Sequence, residues 1–303
     1  MSAGFFGQLG YKAETAWGTA VTVDEFHPGW TSGNPVRDHP PLISKGIRGG
    51  RRMASVIETG AKTVSGGVSF ELYSSPMNVL LTQMYGTVTD AGGSITAWPA
   101  AIDQSLTMQF GIPDVPGTVI PFTYSGCRFP SWSISATAGE IITFEADVSA
   151  KDYVTGTALA AASYGTMTPF TFIDGSVSVA GSPLAEVKSF ELAADRPMRV
   201  EHYLGGSLIA EQIESGQSSF TINVETEFAG TVVHDLANTE VAVVLTFNDG
   251  TDSLVTTCNA WVVGTTPNVS GVDSLSDFGF EAMCIGDTDA AAITSVLVNN
   301  EAS

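Results

Sequence analysis

FPSWSISATAGEIITFEADVS, residues 129–149, reads as a β-hairpin. Trp132, Ile134 and Ala136 alternate with Ser131, Ser133 and Ser135, so one face is apolar and the other polar. Ala138-Gly139 supplies the turn. On the return strand Ile142, Phe144, Ala146 and Val148 line one face, while Thr143, Glu145 and Asp147 point the other way. Short runs of the same period, bounded by Gly, Pro, Asn and Asp, recur along the chain and predict a mainly β fold. In the first half one helix is predicted, with Ser75 as N-cap and Pro76 at its first position. Met77, Leu80, Leu81 and Met84 form its apolar stripe and Gly86 ends it. Ala229, Val232, Val233 and Leu236 repeat that spacing in the second half.

The two halves also match in order. Gly49-Gly50, seven residues, then Glu58-Thr59-Gly60 corresponds to Gly205-Gly206, seven residues, then Glu214-Ser215-Gly216. Phe70 in SFEL corresponds to Phe220 in SFTI, and LTMQFG (106–111) to VLTFND (244–249). Cys127 corresponds to Cys258, and Phe144-Glu145-Ala146 to Phe280-Glu281-Ala282. The second copy lacks a counterpart of 86–102, which reads as a loop insertion. The expected organisation is two tandem β-sandwich or barrel units with one flanking helix each: residues 1–150, a linker at 151–170, and residues 171–303. Duplication has a symmetry consequence. If one unit builds a ring of six, the doubled chain builds a ring of three with pseudo-six-fold symmetry.

The charge narrows the function. The 303 residues hold 12 Lys+Arg against 32 Asp+Glu, a formal charge of −20. Residues 1–150 carry 8 basic and 12 acidic groups; residues 151–303 carry 4 and 20. Beyond Arg199 there are 15 carboxylates and no Lys or Arg. Such a surface repels phosphate, which argues against nucleic-acid binding of the usual kind. One stretch runs the other way: Lys45, Arg48, Arg51, Arg52 and Lys62 lie within 18 residues, beside Gly46, Gly49 and Gly50. With no GxxxxGK[ST] context it is a poor phosphate loop, and it reads as one half of an electrostatic contact with another copy.

Chemistry is not indicated. His27, His39, His202 and His234 show no paired-ligand spacing, no G-x-S-x-G occurs, and neither metal nor cofactor is expected. Glu145, Asp147 and Glu281 sit at alternating hairpin positions, where a solvated face explains them better than a catalytic pair. Cys127, Cys258 and Cys284 lack C-x-x-C spacing and read as small core residues of a protein matured in a reducing compartment. No apolar run reaches the length of a membrane helix, and MSAGFFGQLGYK is unlike a secretory leader.

GQLGYKAETAWGTAV, residues 7–21, resembles the opening of phage tail tube proteins, roughly G-x-x-x-E-T-x-[YW]-G-T-A. KGIRGGRR (45–52) is similar to a basic, glycine-rich segment that follows in that family. The resemblance implies a non-enzymatic virion protein, assembled in the host cytoplasm into the tail. Its β units would close into rings around a lumen, stacked into a tube through which DNA is ejected. The implied partners are other copies of the chain, three per ring with six as the alternative, other tail proteins at the tube ends, and DNA in transit without specific binding. No membrane is implied. Carboxylates lining a lumen would let DNA slide where Lys and Arg would hold it. Glu145, Asp147 and Glu281 are the first candidates for that lining, and Glu58 and Glu214 the next. Lys45, Arg48, Arg51, Arg52 and Lys62 are the candidates for contact between subunits or rings. The rival reading is an acidic two-domain β-sandwich adhesin or binding module, for which Trp98 and Trp132 would be the aromatic platform.

Overall fold

The alternation at 129–149 becomes a hairpin in the computed structural model, with Trp132 opposite Ala146, Ser133 opposite Glu145 and Ile134 opposite Phe144. Trp132, Ile134, Phe144, Ala146 and Val148 are buried, and Glu145 and Asp147 exposed. The structure describes residues 6–33, 35–46, 50, 52–53, 56–75, 77–115, 117–165, 168–227, 232–263 and 277–298.

Along the first half run β1 (Gln8–Ala13), β2 (Glu25–Phe26), β3 (Trp30–Ser32), β4 (Val36–Asp38), β5 (Pro41–Ile43), β6 (Ile57–Thr59) and β7 (Thr63–Glu71). Then come α1 (Asn78–Tyr85), β8 (Gly86–Asp90), β9 (Ser94–Pro99), β10 (Leu106–Pro113), β11 (Val119–Cys127), β12 (Ser131–Thr137), β13 (Thr143–Ala150) and β14 (Asp152–Val154). The second half has β15 (Gly175–Val179), β16 (Ser182–Pro183), β17 (Val187–Asp195), β18 (Met198–Glu201), β19 (Gln212–Ser215) and β20 (Ser219–Glu227). It ends with α2 (Val232–Asp235), β21 (Glu240–Asn248), β22 (Ser253–Val263), β23 (Asp277–Cys284), α3 (Asp289–Ala292) and β24 (Ile293–Val298).

Six antiparallel strands, in the order β7-β13-β12-β17-β20-β23, cross both halves as one continuous sheet. Its apolar face is covered in two places. Over the first half lies the sheet β14-β11-β10-β1-β2, whose Phe110 and Tyr124 rings meet edge to face at 5.5 Å. Over the second half lie β15, β21, β22 and β24, with Phe190 stacked on Phe247 at 5.4 Å. One core runs through both, because Trp132 and Phe144 of the first half share it with Phe220 and Ile222 of the second.

The helix α1 buries Leu80, Leu81 and Met84 as the spacing requires, and Gly86 closes it at φ 102°. Its N-cap is Met77 rather than Ser75, and Pro76 lies outside the described residues. The second helix is a single turn, with Ala229 outside the described residues. Residues 86–102, read from the sequence as a loop, instead contain the hairpin β8–β9. Its second strand, β9, pairs with β24, so this hairpin extends the outer layer of the second half. Alternation over only a few residues (Ile95, Ala97, Pro99 inward) was too short a signal to separate strand from loop. The segment after β14 lies along the first half: Gln8 donates to Ala160 O at 2.8 Å and Gln109 to Ala158 O at 3.0 Å.

The N-terminal run is held by one buried carboxylate. Glu14 accepts from Gly18 N at 2.7 Å, Ser105 Oγ at 2.5 Å, Thr107 Oγ1 at 2.9 Å and Gly126 N at 2.9 Å. Four donors replace the water that a buried carboxylate loses. Gly18 is required at the turn: its φ is +69° and a Cβ would lie 2.2 Å from Lys151 Cδ. The Lys151 ammonium sits 4.4 Å from the centre of the Trp17 ring. ETAWG is therefore a clasp that joins the first strand to β10 and β11.

Candidate assembly surfaces

The six-stranded sheet turns its second face to solvent, and register places its side chains in rows. One row runs Glu71, Thr143, Ser135, Glu191, Asn223, Glu281. The next contains Ser69, Glu145, Ser133, Ala193, Thr221 and Met283. Asp147 and Asp195 flank Ser131 in a third, where Ser131 Oγ donates to Asp147 Oδ2 at 2.7 Å. Ser189 donates to Glu225 at 3.0 Å and Asn223 to Glu191 at 3.4 Å. The carboxylates thus stand among small hydroxyl and amide groups. Lys188 is the single Lys or Arg in the six strand sequences, and it is ion-paired with Glu227 at 3.4 Å. The face is hollowed into an open groove of about 610 Å³ between Ser69, Glu145, Asp147, Asp195 and Thr221.

Of the residues singled out from the sequence, Glu145, Asp147 and Glu281 share this one face. Glu71, Glu191, Asp195 and Glu225 join them. Alternation in β7, β17 and β20 marks these four, but only the strand order shows that they lie on the same side. Glu58 is elsewhere, exposed on the hairpin β5–β6, and Glu214 lies on the hairpin β18–β19, its side chain outside the described residues.

These two hairpins are arms that leave the sheet between β4 and β7 and between β17 and β20. They touch: Lys62 N donates to Leu208 O at 2.7 Å, and His202 Nε2 lies 3.2 Å from Lys62 O. The first arm exposes Leu42, Ile43, Met53 and Ile57, and the second Tyr203 and Leu204. Lys45 and Arg52 are exposed on the first arm, Lys62 is half-buried at its base, and Arg48 and Arg51 lie outside the described residues. Exposed apolar groups therefore cluster beside fixed positive charge on the first arm.

Trp132 is buried in the core and its Nε1 donates to Met84 O at 3.1 Å, so it forms no exposed platform. His27 is buried against Phe70, with ring centres 4.1 Å apart. Burial holds its pKa down at about 3, so the ring is neutral. Cys127 and Cys258 are free and buried, and Cys284 is free and partly buried. Among the described residues no group of three or more His, Cys, Asp or Glu is placed to hold a metal ion.

Antiparallel layers thus share one polar, acid-rich sheet face, and two arms leave that sheet. A family model described as phage tail tube protein matches residues 4–282, and the chain belongs to that family. A comparison with curated proteins finds no match. The protein is thus a structural component of the virion tail.

Proposed function

We propose that the chain closes into rings whose inner wall is the acid-faced six-stranded sheet, and that stacked rings form the conduit for phage DNA. The observation that carries this reading is the composition of that face: carboxylates on five of its six strands, with Ser, Thr, Asn and Gly between them. Fixed negative charge repels the DNA backbone, and small neutral groups leave nothing for a phosphate to grip. The arms, with Lys45, Arg48, Arg51, Arg52 and Lys62 on one of them, serve contact between subunits or rings.

The chain is read as two copies of one unit. In its support, β7–β13 and β20–β23 are equivalent antiparallel pairs, as are β10–β11 and β21–β22, and each half extends one arm. Cys127 lies opposite Leu106 and Cys258 opposite Val243. Aligned on the cysteines, Leu106 corresponds to Val243, one residue earlier than the LTMQFG/VLTFND match places it. The units on this reading are residues 1–150 and 171–303, joined by 151–170, and three chains complete a pseudo-six-fold ring.

Negative-stain electron microscopy with mass measurement of the smallest ring tests both parts. Hollow rings of three-chain mass and apparent six-fold symmetry are expected. Six chains per ring would overturn the stoichiometry, and a chain that stays monomeric at high concentration would overturn the ring.

A further inference from the structure

Two of the three free thiols meet at a corner of the fold. β22 changes partner along its length: Cys258 lies opposite Ile293 of β24, and two residues on Ala260 lies opposite Cys284, the last residue of β23. Alternation puts Cys258, Ala260 and Cys284 on one face, the face on which Cys258 and Ala260 are fully buried. Ile285 N donates to Asn259 O at 2.8 Å, which holds the end of β23 beside β22. Cys258 and Cys284 are therefore diagonal neighbours, and their side chains share a hydrogen bond.

The two thiols are not equivalent. The hydrogen bond with Cys284, then burial, push the Cys258 thiol far above its ordinary range, so it stays protonated. Cys284 is partly exposed at the end of its strand. A small reagent from solvent reaches Cys284 first, with Cys258 in contact behind it. Cys127 is placed apart, fully buried on β11 of the first half and opposite Leu106. Its thiol hydrogen-bonds the Met108 backbone, and burial followed by the Glu14 charge raises its pKa.

We infer that Cys258 and Cys284 are a latent disulfide, closed by a peroxide once the virion leaves the reducing interior of the cell, and that it staples β22 to β23 where β22 parts from β24. Thiols persist in a reducing cytoplasm and disulfides outside it. The inference needs only the folded chain and its place in the virion, and it is independent of the ring.

The chemistry has two steps. The Cys284 thiolate attacks one oxygen of hydrogen peroxide and the O–O bond breaks. That oxygen stays on Sγ as a sulfenic acid; the other leaves as hydroxide and becomes water with the proton the thiol released. Cys258 Sγ then attacks the same sulfur, the S–O bond breaks, and the hydroxyl leaves as a second water with the Cys258 proton. Two thiols give up two electrons in all, and one peroxide is reduced. Because the second thiol is already in contact, its attack precedes further oxidation to the sulfinic acid. The bond closes a loop of the unfolded chain and so favours the folded one.

Thiol counting on the unaltered chain tests this without any substitution. The folded chain is treated with hydrogen peroxide in small excess, then unfolded and alkylated with iodoacetamide. One alkylated cysteine, Cys127, and a proteolytic cross-link joining the peptides of Cys258 and Cys284 are expected. The cross-linked chain should unfold at a higher denaturant concentration, and dithiothreitol should return the midpoint to its starting value. Three alkylated thiols, a disulfide between chains, or Cys284 recovered as a sulfinic or sulfonic acid with Cys258 still alkylated would overturn the inference. An unchanged midpoint in the cross-linked chain would overturn the staple. Cys127→Ser should cross-link as the unaltered chain does. Cys258→Ser should leave Cys284 to oxidise beyond the sulfenic acid, and a cross-link from Cys284 to Cys127 in that variant would contradict the pairing.

Discussion

The Arg196 guanidinium of the second half closes the C-terminal end of α1 in the first. Nη2 donates to Met84 O at 3.1 Å and Tyr85 O at 3.4 Å, and Nη1 to Gln83 O at 3.2 Å. The last carbonyls of a helix have no intrahelical partner and carry its negative end, so a buried cation satisfies both needs. Burial lowers the pKa of Arg196 to about 10, which leaves it charged at neutral pH. Arg196→Ala should destabilise the chain by about 1–3 kcal/mol: Gln83 O loses its Arg196 bond, while Met84 O keeps the Trp132 indole and Tyr85 O keeps Ala100 N. Arg196→Lys, without the fork, should recover only part. Denaturant titration of the unassembled chain reads both.

The Glu14 clasp makes a similar prediction at the other end of the first half. Glu14→Ala should cost about 3 kcal/mol by leaving four donors without an acceptor. Glu14→Gln should cost less but not nothing, since its amide nitrogen would face donors. Amide exchange at Gly18 and Gly126 should speed up in both variants.

Stability should be greatest in mildly acidic solution. His27 has a folded pKa of about 3 against 6.5 in the unfolded chain, so the unfolded state binds more protons between those values. Stability is therefore lost as pH falls from 6.5 to 3. Glu25 runs the other way: burial first, then the neighbouring Asp24, raise its pKa from 4.5 to about 7. The folded state then holds the extra proton, and stability is lost as pH rises from 4.5 to 7. His27→Phe should flatten the acid limb of the melting-temperature profile, and Glu25→Gln should raise stability at pH 8 with little effect at pH 4.

Reversing the acidic face should turn a passage into a trap. Glu145→Lys, Asp147→Lys and Glu281→Lys together change exposed side chains only, so the monomer should fold. Assemblies of this variant should retain at least tenfold more duplex DNA in co-sedimentation at low salt, and release it as salt rises.

Charge reversal at Arg48, Arg51 and Arg52 should block polymerisation while leaving the monomer folded. Sedimentation velocity separates these outcomes, and normal tubes from this variant would remove the basic arm from the assembly.

Local pattern carried much of this fold. Alternation placed Trp132, Ile134 and Phe144 inside and Glu145 and Asp147 outside, and i, i+3, i+4 spacing found α1. What pattern cannot carry is the choice of partner. Period two separates the faces of β12 without saying that its second neighbour is β17, 50 residues later. For the same reason Glu71, Glu191 and Asp195 went unmarked beside Glu145, and the pairing of β9 with β24 was invisible. A lone arginine such as Arg196 announces nothing in sequence, because its three carbonyl partners are backbone atoms about 110 residues away. Glu58 and Glu214, matched in sequence, both lie on arms and not on the six-stranded sheet.

The central claim is that the sheet face bearing Glu145, Asp147, Glu191 and Glu281 lines the bore. Electron cryo-microscopy of the assembled tube, at a resolution that traces side chains, measures this directly. The account predicts β7, β13, β12, β17, β20 and β23 around the channel with these carboxylates in its water. A tube in which that face points outward, or is buried between subunits, would contradict it.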